Sequence, residues 1–403
     1  MTRFLWASYG MYLLGGMSSV LLGAIMPNLL AHYHTAYTAG GMLALLGSIG
    51  FIVGVPLTAS CMKRFHYRLI LSGAALVVAI GQIGFFCLPP FFFLGVFVIL
   101  NGIGASSLET AVASYIMERF PGRRAILMSR LEVAFGLGAL SLPALASLLI
   151  ATHAWRVTSI CIAIIAFVLC LVWQSVSYAW QVQDSSTTAS GERDAPTAAP
   201  PRFRGRPSKY GVLALFLLII LIYVGVEGSI NSFLPSLLIL YIKSQPYLAS
   251  LSSTIFWGAM VVGRLAIGWI ARRIRYELYL FASVMMGSVF FLALMASHTL
   301  WLAYLAICGV GLSLSAVYSI TMVYANHTFT GMERTVTSAV TAFAGVGGAL
   351  CPAFIGYAMD HLLPQQVLRM VLGLMIVLLL LLSAIYISLH IVRRRDVARD
   401  TAI

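Results

Sequence analysis

Twelve long apolar runs dominate this chain of 403 residues and constrain its fold more than any other feature. Most contain at least the roughly 20 residues that a helix needs to cross the hydrocarbon core of a bilayer. Charged residues make up only 9% of the sequence, whereas about a quarter of the residues in a soluble domain are charged. We therefore expect an all-α membrane protein with 12 transmembrane helices. The runs cover residues 5–31, 37–61, 69–88, 91–117, 125–151, 155–179, 210–242, 246–271, 277–297, 300–325, 335–359 and 366–392.

The basic residues are distributed very unevenly between the loops. With the N-terminus placed inside the cell, 20 of the 25 Lys and Arg residues fall on the cytoplasmic side and only three, Arg156, Lys243 and Arg369, on the other. Such a bias is what the positive-inside rule expects. We therefore predict a multi-pass protein of the cell membrane with both termini in the cytoplasm. The net charge of +13 then reflects membrane topology and not nucleic-acid binding.

An internal repeat with an offset of 207–209 residues relates the first six runs to the last six. Gly23–Leu30 parallels Asn231–Leu238, and Gly136–Pro143 parallels Gly345–Pro352. Two similar six-helix halves joined by a cytoplasmic linker are the plan of the major facilitator fold, whose substrate site lies near the membrane midplane between the halves. The predicted domains are an N-terminal half at 1–180, a linker at 181–209, a C-terminal half at 210–392 and a cytoplasmic tail at 393–403.

Three carboxylates lie well inside apolar runs, where a charge costs about 2.5–3.5 kcal/mol on insertion scales. Glu109 lies nine residues before Glu118 and thus about 14 Å from the inner end of its helix. Glu227 lies near the middle of the seventh run, and Glu132 some 12 Å into the fifth. Burial favours the neutral form of a carboxyl group, so all three are candidates for proton coupling. Glu109 and Glu227 are also candidates for binding substrate hydroxyls. The alternative is that a Ser, Tyr or Arg of a neighbouring helix simply holds each acid.

A few uncharged polar or aromatic residues complete the predicted substrate site. Asn231 lies one helical turn after Glu227, so both side chains point the same way. Gln82 and Asn101 are lone polar groups that either bind substrate or bond between helices. Trp257 is a candidate for stacking on a sugar ring, with ordinary packing as the alternative.

Two arginines, Arg130 and Arg264, lie one and a half to two turns inside the basic ends of their runs. Snorkelling to the interface or pairing with an acid is the simpler account of both. A gating role is the other, in which Arg130 pairs with Glu118 or Glu132 at the cytoplasmic side.

Four segments carry most of these residues: Gly102–Thr110, Leu131–Leu140, Tyr223–Pro235 and Phe256–Arg264. Together they resemble bacterial glucose/mannose:proton symporters, in the fucose–galactose–glucose:proton symporter branch of the major facilitator superfamily. The resemblance implies uptake of a hexose driven by the proton gradient. It assigns proton and sugar handling to Glu109 and Glu227, with Glu132 as a third candidate.

Two departures from the family pattern concern acidic residues. The loop Met62–Arg68 lacks the acid that the superfamily usually has there, which puts an acid-based cytoplasmic latch in doubt. Ser18 and Ser19 occupy the first run, where some fucose-type relatives have an acid. Proton coupling must then depend on the acids of the fourth, fifth and seventh runs, or be absent.

Other functional classes are open or excluded to different degrees. A drug or metabolite exporter working by proton antiport has the same architecture and remains the alternative. An enzyme is not expected, because the eight histidines lie in loops or near membrane edges and no HExxH motif occurs. The six cysteines are scattered without CxxC spacing, so neither a metal site nor a cofactor is expected. The expected partners are a small-molecule substrate, protons and lipid, with the protein as a monomer.

Overall fold

The structure, a computed structural model, describes residues 2–119, 124–175, 206–270, 274–329 and 332–400. These ranges are helical almost throughout, and no strand occurs within them. The helices are α1 (Thr2–Tyr33), α2 (Tyr37–Met62), α3 (Tyr67–Cys87), α4 (Phe91–Arg119), α5 (Arg124–Ala151), α6 (Val157–Ser175), α7 (Arg206–Ile242), α8 (Pro246–Ile270), α9 (Tyr276–Ala296), α10 (Leu300–Leu314), α11 (Val317–Thr328), α12 (Glu333–His361) and α13 (Pro364–Asp400).

These helices form twelve segments that are long and apolar enough to cross a membrane, which confirms the predicted number. One span differs from the prediction. The run at 300–325 looks continuous in sequence, but the structure interrupts the span Leu300–Thr328 at Ser315 and Ala316, between α10 and α11. Neither residue is a proline or a glycine, so the interruption depends on contacts with other helices, described below.

The ends of α7 and α13 extend furthest beyond the apolar runs. Helix α7 begins at Arg206 and not at 210, and α13 continues to Asp400, into the predicted tail at 393–403. Hydropathy marks the thickness of the bilayer, whereas a helix can continue into water. The predicted linker at 181–209 lies outside the described residues as far as 205, and the predicted domain boundaries stay predictions.

The internal repeat appears as matching contacts in the two halves. Gly138 of α5 lies so close to α1 that a Cβ atom there would overlap the carbonyl oxygen of Leu13. Gly347 of α12 meets the carbonyl oxygen of Leu221 on α7 in the same way. A second match is a tyrosine hydroxyl that donates to a backbone carbonyl, from Tyr33 to Pro89 and from Tyr241 to Met295. The pseudo-symmetry predicted from the sequence is therefore confirmed.

The two halves are in tight contact at one side of the membrane, opposite the side at which α1 begins and α13 ends. Asp360, in the last turn of α12, accepts hydrogen bonds from the backbone N–H groups of Tyr37 and Thr38 in the first turn of α2, at 2.8 and 2.6 Å. Such an acid satisfies unpaired N–H groups and favourably meets the helix dipole. Ser147 of α5 donates to the carbonyl of Tyr247 on α8 at 2.7 Å. The gap between the halves is closed here.

The halves separate toward the other side, which we call the basic side because most Lys and Arg residues lie there. Ile52 of α2 still lies against Gly345 of α12. One and two turns further toward the basic side, Thr341 and Thr337 continue the same face of α12 and are exposed. The structure is therefore open between the halves at the basic side.

We predict that Asp360→Ala shifts the protein toward a state that is open on the side where Asp360 contacts α2, opposite the basic side. The substitution removes the acceptor of the N–H groups of α2, which contributes about 1 kcal/mol at an exposed helix end. Spin labels at Ala36 and Leu363, both exposed, would report the separation of α2 and α12 by pulsed electron resonance. The six native cysteines, all free, would first be replaced by Ala.

The expected result is a new population at longer label separation in Asp360→Ala. Gln365→Ala changes another exposed polar residue at the same side and serves as the matched control. An unchanged distance distribution in Asp360→Ala would show that the contact of Asp360 with the first turn of α2 does not hold the halves together.

Candidate functional site

Glu109 lies on α4 with its carboxylate against the backbone of α1. A Cβ atom at Gly15 would lie 3.3 Å from the Glu109 Oε1 atom, so a glycine at this position leaves room for the acid. The hydroxyl of Tyr12 donates to the backbone carbonyl of Glu109 at 3.2 Å. Among the described residues, no hydrogen-bond or ion-pair partner contacts the carboxylate itself. Glu109 therefore faces the interior of the first half without a compensating cation.

The other two acids share one arginine. Arg264 of α8 lies 3.6 Å from Glu132 of α5 and 3.9 Å from Glu227 of α7, measured between guanidinium nitrogens and carboxylate oxygens. Glu132 belongs to the first half, whereas Arg264 and Glu227 belong to the second. The arrangement carries two negative charges and one positive charge, and it connects the two halves.

Glu132 borders the open part of the gap between the halves. It lies one turn before Gly136, where a Cβ atom would collide with Val261 of α8, so it shares the face of α5 that packs on α8. Its side chain is nevertheless 53% exposed, compared with 25% for Arg264 and 17% for Glu227. The exposure of Glu132 is therefore to the gap and not to lipid. Its charge also acts on Glu109 and Glu227, which lie close enough for electrostatic interaction.

The interruption between α10 and α11 lies next to this charge cluster. A helix break inside a membrane leaves carbonyl oxygens without their helical partners, and each needs another donor. The Tyr223 hydroxyl donates to the carbonyl of Leu314 at 2.8 Å, and the Arg264 Nε atom donates to that of Ser315 at 3.3 Å. Tyr223 lies one turn before Glu227, and its hydroxyl also faces that carboxylate. Arg264 therefore joins the acids to the broken span.

Asn231 and Trp257 form a second polar pair at the interface between the halves. The Trp257 indole N–H donates to the Asn231 Oδ1 atom at 3.0 Å, and the Asn231 amide donates to the carbonyl of Ser19 on α1 at 3.3 Å. The indole ring also lies 5.8 Å from the Arg264 guanidinium and meets Phe135 of α5 edge-on at 6.2 Å. Asn231, predicted to share a face with Glu227, thus contacts both halves.

Gln82 and Asn101 lie deeper within the first half. The Gln82 amide donates to the Asn101 Oδ1 atom at 2.8 Å, and the Asn101 amide donates to the carbonyl of Ser18 at 3.3 Å. Gln82 is completely buried. These bonds link α3, α4 and α1, which matches the interhelical alternative, and a role in substrate binding stays a prediction.

Arg130 is not part of the charge cluster. It is exposed and forms no ion pair with the residues that the structure describes, and the side chain of Glu118 lies outside them. The partner of Glu132 is instead Arg264, which projects from the other half. A gating role for either arginine stays a prediction.

Three tyrosines near the acids were not predicted from the sequence. Tyr12 contacts Glu109, Tyr223 holds the broken span, and Tyr318 of α11 lies near Glu132 and Glu227 with its hydroxyl beside Thr341. The spacing of Tyr223, four residues before Glu227, was a usable signal in the sequence. No comparable signal marked the other two.

Comparison with known proteins agrees with the fold and with this arrangement of helices. The family model of the Major Facilitator Superfamily matches residues 9–352. The chain belongs to the Major Facilitator Superfamily. It is 27% identical to the glucose/mannose transporter GlcP of Bacillus subtilis (strain 168) over 396 residues, which cover 96% of this chain and 95% of that protein.

Two further similarities extend the comparison within the superfamily. The chain is 25% identical over 376 residues to a glucose/galactose transporter of Brucella abortus biovar 1, covering 87% of this chain and 86% of the relative. The crystal structure of the nucleoside transporter NupG matches with a TM-score of 0.75 at 15% identity, over 96% of this chain and 99% of NupG. The last similarity shows the facilitator fold alone.

We predict that Arg264→Gln lowers the stability of this facilitator by about 1–3 kcal/mol. The substitution leaves Glu132 and Glu227 without their cation and weakens the bond to the Ser315 carbonyl. Unfolding of the purified protein in detergent at neutral pH would measure the loss.

The double variant Arg264→Gln/Glu227→Gln should regain part of that stability, because it removes the more buried of the two uncompensated acids. Arg275→Gln, at an exposed position outside the cluster, is the matched control and should leave stability unchanged. Equal stability of Arg264→Gln and Arg275→Gln would contradict the shared ion pair.

Proposed function

We propose that this protein is a secondary transporter that takes up a hexose together with protons by alternating access. One observation carries the proposal: acids, an arginine, an amide and an indole meet at the interface between the two halves. These residues are Glu132, Glu227, Arg264, Asn231 and Trp257. Glu109 lies within the first half, close enough to Glu132 for electrostatic interaction. The full-length similarity to a glucose/mannose transporter and to a glucose/galactose transporter supports a sugar as the substrate.

The chemistry of the cluster suits a neutral polyol. Carboxylate and amide oxygens accept hydrogen bonds from sugar hydroxyls, and the Asn231 amide and the Arg264 guanidinium donate to them. The Trp257 side chain is 6% exposed, and its indole N–H orients Asn231. We assign substrate binding to Glu109, Glu227, Asn231 and Trp257, with Gln82 and Asn101 in supporting positions.

We assign proton transfer first to Glu109. A buried carboxylate without a cation is costly to keep ionised, and binding a proton removes that cost. Glu132 and Glu227 differ from Glu109 because Arg264 balances one of their two charges. Glu132 and Arg264 connect the halves, so a proton on Glu132 would weaken the link and favour movement of the halves.

The orientation follows from the positive-inside rule. The basic side is then cytoplasmic, with both termini in the cytoplasm of a cell whose plasma membrane the protein spans. The described structure corresponds to the state that opens to the cytoplasm, in which the Asp360 contact closes the outer side. We propose that one chain is the transporting unit.

We predict that Glu109→Gln abolishes uptake driven by a pH gradient while sugar exchange across the membrane continues. The amide is close to the acid in size and polarity but cannot release a proton. Uptake of radiolabelled glucose and mannose into proteoliposomes, with and without an imposed gradient, would measure the first activity. Counterflow at equal pH would measure the second.

Glu277→Gln is the matched control, because Glu277 lies at the start of α9 and accepts a hydrogen bond from Tyr324 outside the cluster. Full gradient-driven uptake by Glu109→Gln would remove the proton role of Glu109. Release of a loaded substrate in exchange for protons, without uptake of any hexose, would favour the exporter alternative.

We predict that Trp257→Phe raises the KM for hexose about five-fold with a smaller effect on kcat. The variant keeps an aromatic ring but loses the indole N–H that orients Asn231, and a single hydrogen bond contributes about 1 kcal/mol. Trp301→Phe, at an 81% exposed tryptophan of α10, is the matched control in the same uptake assay. An unchanged KM in Trp257→Phe would place the tryptophan outside the sugar site.

A further inference from the structure

A groove between α2 and α3, with α4 as its floor, lies outside the candidate transport site. It has a volume of about 290 Å³. Its walls are almost entirely apolar, and Leu57, Phe65 and Leu69 are each about half exposed or more. Because α2 and α3 both pack on α4 but hardly touch each other, the groove faces the lipid and not the gap between the halves.

The groove exists because small residues line it. Gly73 of α3 has open space where a Cβ atom would lie, and Ala74 and Gly104 are also in the wall. From Leu69 to Val77 the groove follows α3 for about 12 Å, from the α2–α3 turn toward the membrane midplane. A narrow slot of this length, open along its side to the bilayer, fits a chain-like occupant.

The few polar groups in the groove already have partners. The Thr58 hydroxyl donates to Ser107 at 2.7 Å, and the Ser107 hydroxyl donates to the carbonyl of Ile103 at 2.6 Å. A sugar or another polar solute in the groove would find few donors or acceptors unused. The occupant must therefore be apolar along the length of the groove.

The end of the groove at the α2–α3 turn is basic, in contrast to its apolar walls. Lys63, Arg64 and Arg68 lie in or beside the α2–α3 turn, next to the lining residues Cys61, Phe65 and Leu69. All three basic side chains are exposed, and none forms an ion pair with a residue in the described ranges. An apolar slot below three exposed cations matches an acyl chain below an anionic headgroup.

We infer that this groove binds one anionic phospholipid, with an acyl chain between α2 and α3 and its phosphate held by Lys63, Arg64 and Arg68. A zwitterionic lipid offers the same acyl chains but no net negative charge, so it binds more weakly. This site is independent of the proposed sugar transport, because it shares no residue with the charge cluster.

Native mass spectrometry of the purified full-length protein tests the inference. The protein is titrated in detergent with phosphatidylglycerol and, separately, with phosphatidylcholine of identical chains. The triple variant Lys63→Gln/Arg64→Gln/Arg68→Gln should bind phosphatidylglycerol about 100-fold more weakly, since each basic residue near an anionic lipid contributes about five-fold in affinity. Its affinity for phosphatidylcholine should change little.

The matched charge control replaces Arg393, Arg394 and Arg395 by Gln, which removes three positive charges at the end of α13. If both triple variants lose the same affinity, the lipid responds to net charge and the site is overturned. Inorganic phosphate at millimolar concentration should not displace the lipid, and displacement would show a simple anion site in place of a lipid site.

A second variant tests the groove itself. Gly73→Leu places a side chain into the open space of the slot and should abolish the strongest phosphatidylglycerol adduct. Gly373→Leu on α13 is the matched control, because a Cβ atom there also meets nothing within 4 Å. Melting temperatures of both variants without added lipid show whether they fold. Retained lipid binding in folded Gly73→Leu overturns the acyl-chain placement.

Discussion

The scarcity of hydrogen-bond partners inside a bilayer determines most of this structure. Every backbone polar group that enters the hydrocarbon must find its partner within the protein, because water is absent there. The helix break in the tenth span illustrates the constraint, since two freed carbonyls take a tyrosine hydroxyl from α7 and an arginine from α8. The same arginine then serves two acids. Glu109 is the exception among the described acids of the site, and its lack of a cation is the reason for assigning it the proton.

A few contacts between the halves determine which side of the protein is closed and which is open. At one side, an aspartate holds the first turn of a helix of the other half; at the basic side, threonines of α12 and Glu132 border an open gap. The midplane contacts through Asn231, Trp257 and Phe135 lie between these ends. A movement that opens the closed side would break the first set and preserve the close glycine packing within each half, because those contacts do not cross between the halves.

Hydropathy, the internal repeat and the cost of buried charge were enough to predict twelve spans and two related halves and to single out Glu109, Glu132, Glu227 and Arg264 as candidates. These sequence signals did not show which of the charged side chains form ion pairs with each other. Glu132 and Arg264 are far apart in sequence, and only packing of α5 on α8 brings them together, so the sequence suggested the nearer Arg130 as a partner of Glu132. The break at Ser315 was invisible because serine and alanine are compatible with a helix. For Gln82 and Asn101 the structure adds their mutual hydrogen bond, and a role in substrate binding stays a prediction.

The matched glycine contacts at Gly138 and Gly347 show how closely the scaffold repeats, and the chemistry departs from that repeat. At an offset of 208–209 residues, Glu227 corresponds to Ser19, Glu132 to Thr341, and Arg264 to Val55 or Pro56. The two halves therefore share a backbone arrangement but carry different charged residues. The protein's two end states need not have equal energy, and a carrier of this kind would have an intrinsic resting preference for one face even without any gradient across the membrane.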